Sequence, residues 1–438
     1  MLTSTTDVMQ GDIADETLFK KVLWRVLPFL LICYFFAYLD RVNVAFAKLQ
    51  MAEQLRFSDV VYGLGAGIFF IGYFIFEIPS NLILERVGAR RWIARIMITW
   101  GVLSAGMAFV TSANQFYVMR FLLGVAEAGF FPGILLYLSY WFPDEKRGRV
   151  VALLMAAVPV STIIGAPMSG TIMEGLKGAA GLGGWQWLFL IEGVPSLILG
   201  VACLFLLTDR IQDAAFLSSQ EKQRLAAALG RPSEHRSSHS FTQSLAHGRL
   251  WHLAFLYFCI AAGNLGVAFW MPTILKEAGV QSASTIGWLT AIPYLCASVA
   301  MIFVGRSADA SGERRLHLAV PMLVGAFGLI ISFWMPNIPT ILLALTIATV
   351  GLTTSLPMFW PLPSTILSRS AMAGGLALLN SAGALAGFAG PYAIGWIRTN
   401  TTYAALPLYM LAGVTIIGAL SVWAIRPSEV NRPPEVNR

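Results

Sequence analysis

Residues 26–47 read Val26-Leu27-Pro28-Phe29-Leu30-Leu31-Ile32-Cys33-Tyr34-Phe35-Phe36-Ala37-Tyr38-Leu39-Asp40-Arg41-Val42-Asn43-Val44-Ala45-Phe46-Ala47. The run is long enough to cross a hydrocarbon layer as a helix, and nearly every side chain in it is apolar or aromatic. Asp40 and Arg41 stand well inside it. An acid and a base at that depth are costly, and such residues by default mark a substrate or ion pathway.

The whole chain shares the character of that run. Its 438 residues are 57% hydrophobic and 12% charged, with a mean hydropathy of +0.69, whereas soluble domains carry about a quarter charged residues. The reading is an all-α polytopic membrane protein, in which packing between helices replaces a water-excluding core. The formal charge of +7 does not indicate nucleic acid, because the basic residues fall in short loops between apolar segments rather than on one patch. Cys33, Cys203, Cys259 and Cys296 lie in apolar segments without ligand-like spacing and read as small hydrophobes, so no metal site is expected. Residues 1–19 are polar and acidic, and the first apolar run lacks a small-residue cleavage site; it is expected to stay as an anchor.

Twelve apolar runs of helix length occur at about 26–47, 60–85, 92–112, 114–141, 149–175, 185–208, 250–275, 284–308, 316–336, 338–367, 371–397 and 403–425. The expected division is a tail 1–25, a six-helix half 26–208, a linker 209–249, a second six-helix half 250–425 and a tail 426–438. The turns at Ser112–Asn114 and Pro336–Pro339 are the tightest connections. With both termini in the cytoplasm, 23 of the 30 Lys and Arg residues lie on the inner side and 5 (Lys48, Arg56, Lys177, Lys276, Arg398) in outer loops, leaving Arg41 and Arg120 inside helices. That bias fixes the orientation. Ser218–Ser240 forms the core of the linker, first a stretch suited to a short amphipathic helix, then a tether. His235 and His239 stand at helical spacing, but Pro232 and the serines argue against a helix there, and both read as solvated.

The two halves carry a repeat. Asn81-Leu-Ile-Leu-Glu85-Arg86-Val-Gly88-Ala-Arg90 follows the second run, and Gly305-Arg-Ser-Ala-Asp309-Ala-Ser-Gly312-Glu-Arg314 follows the eighth. Acid, glycine and arginine recur at the same offsets: a helix end, a tight turn that glycine permits, and a carboxylate able to pair with arginine across a helix seam. Glu85, Arg86, Arg90, Asp309 and Arg314 are therefore candidate gating residues, against the plainer reading of ordinary positive-inside loops.

The duplicated loop resembles that of the major facilitator superfamily. Tyr-Leu-Asp-Arg-Val-Asn-Val (38–44), Gly-Tyr-Phe-Ile-Phe-Glu-Ile-Pro-Ser-Asn-Leu-Ile-Leu-Glu (72–85), Arg-Phe-Leu-Leu-Gly-Val-Ala-Glu-Ala-Gly-Phe-Phe-Pro-Gly (120–133) and Trp-Gln-Trp-Leu-Phe-Leu-Ile-Glu-Gly (185–193) narrow the likeness to its anion:cation symporter family. Within it the chain is most similar to bacterial tartrate transporters and, more distantly, to carriers of sugar acids such as galactonate. The resemblance implies that Asp40 and Glu127 couple protons and that Arg41 and Tyr73 contact substrate.

The residues themselves support an anion carrier. Asp40, Arg41, Arg120 and Glu127 lie well inside first-half helices, with Glu77 and Glu192 nearer helix ends. Arg120 and Glu127, seven apart, share one helix face about 10 Å apart along the axis. Two acids and two bases are neutral together. Protonating Asp40 or Glu127 deprives an arginine of its partner and leaves a positive site that suits a carboxylate, which a guanidinium grips bidentately. Anion and proton binding then favour one another. The plainer reading is a static ion-pair network. Tyr73 and Asn43 read either as substrate contacts or as packing between helices. In the second half the polar and aromatic candidates are Asn264, Trp270, Tyr294, Trp360, Asn380 and Ser381, with Asn264 and Asn380 favoured for hydroxyl recognition. Where many relatives read Asn-Ser-Ile-Gly-Asn-Leu-Gly-Gly, this chain reads Asn380-Ser381-Ala382-Gly383-Ala384-Leu385-Ala386-Gly387; Ala384 lacks an amide used in some sugar-acid carriers, which leaves smaller acids open.

No nucleotide loop, cofactor fingerprint or metal-ligand cluster is present, so an enzyme is not expected. Charge rings typical of pores are absent too. The expectation is a monomeric, cofactor-free, proton-coupled importer of a small organic anion in a bacterial-type inner membrane. An exporter or exchanger of a related acid and a non-transporting sensor are the alternatives.

Overall fold

The computed structural model describes residues 5–229, 248–363 and 369–426. His235, His239 and the tail beyond residue 426 lie outside the described residues. In hydrocarbon every backbone polar group must be satisfied within its own segment, and the apolar runs accordingly form helices: α1 Glu16–Gln54, α2 Asp59–Val87, α3 Ala89–Phe109, α4 Ala113–Ser139, α5 Lys146–Gly175, α6 Gly184–Leu206, α7 Gly248–Glu277, α8 Ala283–Ser311, α9 Arg315–Ser332, α10 Ile338–Phe359, α11 Arg369–Asn400 and α12 Leu406–Ala424. Among the described residues, eleven of these are long and apolar enough to cross a membrane by length and composition. A short helix, Ser219–Leu229, stands in the linker, where Glu221 pairs with Lys21 of α1 at 2.7 Å.

The first helix runs well past both ends of its apolar run, and the reason is visible at its far end, away from the chain termini. Lys48 is not a loop residue, as its position beyond Ala47 suggests. It lies inside α1, only 5% exposed, with its ammonium 2.7 Å from Asp59 and 3.8 Å from the centre of the Trp270 ring. The loops at this end are short and capped by their own side chains. Ser58, Ser112, Ser282 and Asn337 accept from Val61 N, Gln115 N, Thr285 N and Thr340 N and satisfy first-turn donors.

Within the long helices three interruptions matter. Asn43 breaks α1. α4 opens at Ala128–Gly129, where Gly129 takes a left-handed φ of +83°. α5 bends at Ala156, because Pro159 has no N–H to offer Met155 O. Gly88 (φ +96°) and Gly312 (φ +65°), the matched glycines of the internal repeat, both end their helices in the conformation only glycine enters freely.

The halves meet along two seams, α2 with α11 and α5 with α8. Glycine makes this approach possible: a Cβ on Gly63 would strike Pro391 O, and one on Gly287 would strike Ala166 O. The far end is then sealed by polar contacts between the halves. Arg398 pairs with Asp59 of the other half at 2.8 Å and, within its own half, with Glu277. Lys276 Nζ donates to Leu49 O at 2.5 Å, Tyr62 OH to Phe269 O at 2.8 Å, and Glu174 accepts from Ser282 Oγ and Ser284 N.

Candidate functional site

Arg41, Glu127 and Tyr73 all lie about 20 Å in from the far end at 1.5 Å per residue, on three different helices of the first half. Arg41 Nη2 donates to Glu127 Oε1, and the two form an ion pair in which Glu127 is 1% exposed and Arg41 19%. The guanidinium lies 5.3 Å from the Tyr73 ring centre and 5.5 Å from that of Phe69, where the aromatic faces favour a cation. Glu127 closes the first segment of α4, directly before the Ala128–Gly129 opening. Its Oε2 is buried with no donor, and so is Arg41 Nε with no acceptor. One edge of each group is committed and the other is spare. Broken helices at mid-membrane depth are a recurrent way of building transport sites.

The structure separates Asp40 from Arg41. Neighbours on a helix point about 100° apart, and Asp40 faces the interior of the first half, 2% exposed. Its carboxylate accepts from Trp100 Nε1 at 2.7 Å, Ser104 Oγ at 2.9 Å and Ser196 Oγ at 2.7 Å. The expectation that protonating Asp40 directly frees Arg41 is therefore corrected: the acid on Arg41 is Glu127. Asn43, expected among substrate contacts, is 1% exposed and turned to Asp40, 3.4 Å from Oδ1.

Arg120 does not pair with Glu127 despite sharing its helix face. It is fully buried and donates to Gly65 O at 3.2 Å and Ala66 O at 3.3 Å, with the Phe69 ring 4.9 Å away. That ties α4 to α2. A guanidinium is long enough to cross to the next helix, so the seven-residue spacing alone does not decide its partner.

On the second-half side, Tyr257 stacks on Phe359 with ring centres 5.0 Å apart and meets Trp360 edge-on at 5.2 Å. Asn380 of α11 donates to Glu77 of α2 at 3.2 Å, a polar contact between the halves, with half-buried Ser381 beside it. Asn264, favoured for substrate hydroxyls, spends its amide donor on Ile260 O and Leu352 O at 3.0 and 2.8 Å, which ties α7 to α10. Trp270 belongs to the far-end seal over Lys48. Tyr294 is 7% exposed. Of the gating candidates, Asp309 at the end of α8 pairs with Arg314 just beyond it at 3.0 Å. Glu85 and Arg86 are exposed. Arg90 contributes its backbone N–H, at 2.8 Å, to Asp209.

Sequence reasoning missed Glu77 as a bridge between the halves and missed the far-end network altogether. Their signal was present but weak: Glu77 stands in apolar context nearer a helix end, and Lys48, Lys276 and Arg398 at the ends of apolar runs read as loop charges. Among the described residues no cluster of His, Cys, Asp or Glu could hold a metal ion.

Comparison with known proteins places this arrangement. The family model described as Major Facilitator Superfamily matches residues 30–281 and 253–438. A protein of Agrobacterium vitis named "Putative tartrate transporter" is 47% identical over 414 residues, covering 94% of this chain and 95% of its own. An Acinetobacter baumannii protein named "Quinolone resistance transporter" is 37% identical, covering 94% and 95%. The structure of a bacterial homologue of the human lysosomal transporter Spinster, in an inward-facing and occupied conformation, superimposes with a TM-score of 0.75 at 17% identity, covering 93% of this chain and 98% of that one.

Proposed function

The chain belongs to the major facilitator superfamily and is a transport protein rather than an enzyme; from that premise we propose that it imports a small organic anion together with protons. The substrate class is a hydroxy- or dicarboxylate of the tartrate kind, and the cycle is alternating access. The carrying observation is the Arg41–Glu127 pair, with one oxygen of the acid and one nitrogen of the base left without partners. A proton on Glu127 cancels its claim on Arg41. The guanidinium then takes a substrate carboxylate with its planar fork. Tyr73 flanks that position from the first half, and Asn380 and Ser381 from the second. The name of the 47% identical relative supports the tartrate-like class.

The membrane potential sets the direction of benefit. Bringing one negative charge into a negative interior costs about 2.3 kcal/mol per 100 mV, and one proton per charge removes that cost. With the termini cytoplasmic, as the basic loops favour, the sealed far end faces outward and the site is reached from within. Proximity of Glu77 to Asn380 supports a contact that forms and breaks as the halves rock.

The decisive measurement is uptake by proteoliposomes of tartrate, malate, galactonate, glucarate and phthalate, with and without an inward proton gradient. Gradient-stimulated uptake of a carboxylate is expected. Uptake that ignores the gradient removes proton coupling, and the absence of any carboxylate uptake removes the substrate class. A second reading, export of a related acid, draws on the name of the 37% identical relative; reversing the gradient in the same vesicles separates the two directions.

A further inference from the structure

The far end carries more positive charge than negative. Five bases, Lys48, Arg56, Lys177, Lys276 and Arg398, stand there against four acids, Glu53, Asp59, Glu174 and Glu277. Glu53, Arg56, Glu174 and Lys177 are exposed and balance in number. The surplus therefore lies among the residues that join the halves, where Lys48, Lys276 and Arg398 meet two carboxylates.

Those two carboxylates are already shared out. Asp59 takes Lys48 Nζ on Oδ1 at 2.7 Å and Arg398 Nε on Oδ2 at 2.8 Å. Glu277 takes Arg398 Nη2. Lys276 has no carboxylate among the described residues, and its Nζ donates instead to the neutral Leu49 O at 2.5 Å. The Trp270 ring lies beside both of the cations on Asp59, 3.8 Å from Lys48 Nζ and 5.1 Å from Arg398 Cζ. Trp270 is only 2% exposed, and its own Nε1 is buried without an acceptor. An ammonium has three donors and a guanidinium five, so this end is rich in donors and short of acceptors.

Sorting the same residues by half shows what opening would do. Lys48 and Asp59 belong to α1 and α2, whereas Trp270, Lys276 and Glu277 belong to α7 and Arg398 to α11. Rocking of the halves preserves bonds within a half and breaks those between them. The first half keeps its Lys48–Asp59 pair and stays neutral. The second keeps Arg398 with Glu277, but Arg398 Nε loses Asp59 and Lys276 Nζ loses Leu49 O in the same movement. Two cations then stand over one acid, with vacated donors at the mouth of the cleft. A guanidinium edge beside an ammonium is a donor set that suits a carboxylate. Asp59, clamped between Arg398 and Lys48, is itself a carboxylate held in that way.

We propose that Arg398 and Lys276, with Trp270 beside them, form a carboxylate-binding site at the outer mouth, separate from the one at Arg41. Asp59 occupies the Arg398 edge while the far end is sealed, and an incoming carboxylate anion takes that edge when it opens. The two compete for one Nε, so an anion on the site keeps the end open for loading. The surplus positive charge also raises the local concentration of anions, ahead of Arg41 about 20 Å deeper. Its use as an entry site rests on the reading of the chain as a carboxylate importer, but the site can be tested with acetate alone.

A binding role and a mere latching role move the KM for uptake from outside in opposite directions. Breaking a latch enlarges the outward-open population and lowers that KM. In right-side-out vesicles Asp59→Asn, which removes both latch and competitor, should lower the KM for tartrate. Lys276→Gln and Arg398→Gln break bonds of the same latch, yet each should raise it about threefold or more. Lys276→Arg should restore the wild-type value. The measurement free of transport is thermal unfolding of full-length Asp59→Ala in detergent. Acetate should stabilise it more than chloride does at equal ionic strength, as a ligand of the folded state does, and adding Arg398→Gln should abolish the difference. A lowered or unchanged KM in both glutamine variants leaves only a latch and overturns the site. Equal response of Asp59→Ala to acetate and chloride overturns it too. Acetate stabilisation in a protein that takes up no carboxylate refutes the transport reading and keeps the site, whereas carboxylate uptake without the acetate effect refutes the site alone.

Discussion

Arg41 holds its position through one oxygen of Glu127 and two aromatic faces, and that arrangement makes separable demands on the two residues. Arg41→Lys keeps the positive charge but loses the fork. Tartrate uptake should fall by roughly tenfold or more, chiefly through a raised KM, since a point charge holds a carboxylate less specifically than a guanidinium. Glu127→Gln mimics the protonated acid and leaves Arg41 permanently available. Exchange of labelled for unlabelled tartrate should survive, while accumulation against a gradient is lost; equal loss of both activities would mark Glu127 as structural. Asp40→Asn, by contrast, leaves the Arg41–Glu127 pair untouched because Asp40 lies on another face of α1. Its effect on substrate affinity should be small beside that of Arg41→Lys.

The opening of α4 at Ala128–Gly129 is what brings Glu127 to its place, as the last residue before the chain leaves the helix. Gly129 is required there twice over: its φ is +83°, and a Cβ would strike Ser80 Oγ. Gly129→Ala should lower thermal stability by about 1–2 kcal/mol from the backbone alone. A Ser80→Gly background should return the share due to the clash and leave the backbone share in place, as read by thermal unfolding in detergent. Much of this level is readable from sequence. Twelve apolar runs, the basic loops between them and the matched Gly88 and Gly312 announce the helices, their order and their ends. What a run of apolar letters does not carry is each helix's rotation about its own axis. Asp40 and Arg41 are adjacent in the chain, and only the packing of α3 and α6 against α1 decides that one turns inward and the other toward the second half. Arg120 shows the same limit, since its reach spans more than one possible partner. The break itself had a readable mark in Glu127-Ala128-Gly129 followed by Pro132, a residue suited to a helix's first turn.

Across the whole molecule, most of the polar bonds between the two halves among the described residues cluster at the far end, with Asn380 to Glu77 lying deeper. Asp59 is the hinge of the far-end network, since it accepts from Lys48 of its own half and from Arg398 of the other. Asp59→Asn leaves Lys48 buried beside Trp270 without a carboxylate and weakens the bond from Arg398. Removing one partner of a buried pair is costly because the other charge stays desolvated, and here the cost falls only on the state in which the far end is closed. A differential of about 1–3 kcal/mol moves a two-state population by roughly 5–150-fold. Spin labels at Arg56 and Thr402, exposed at the far end of opposite halves, read the separation directly. The wild type should give a short distance as its main population, and Asp59→Asn should transfer weight to a longer one. Arg398→Gln should act in the same direction, because it removes the cross-half bonds to Asp59 while leaving Lys48 paired. If both variants keep the wild-type distance distribution, the polar network is not what latches the far end, and the close glycine seams of α2 with α11 and α5 with α8 must hold it alone. Gly63→Leu, which forces α2 away from Pro391, would then lengthen the distance where Asp59→Asn did not.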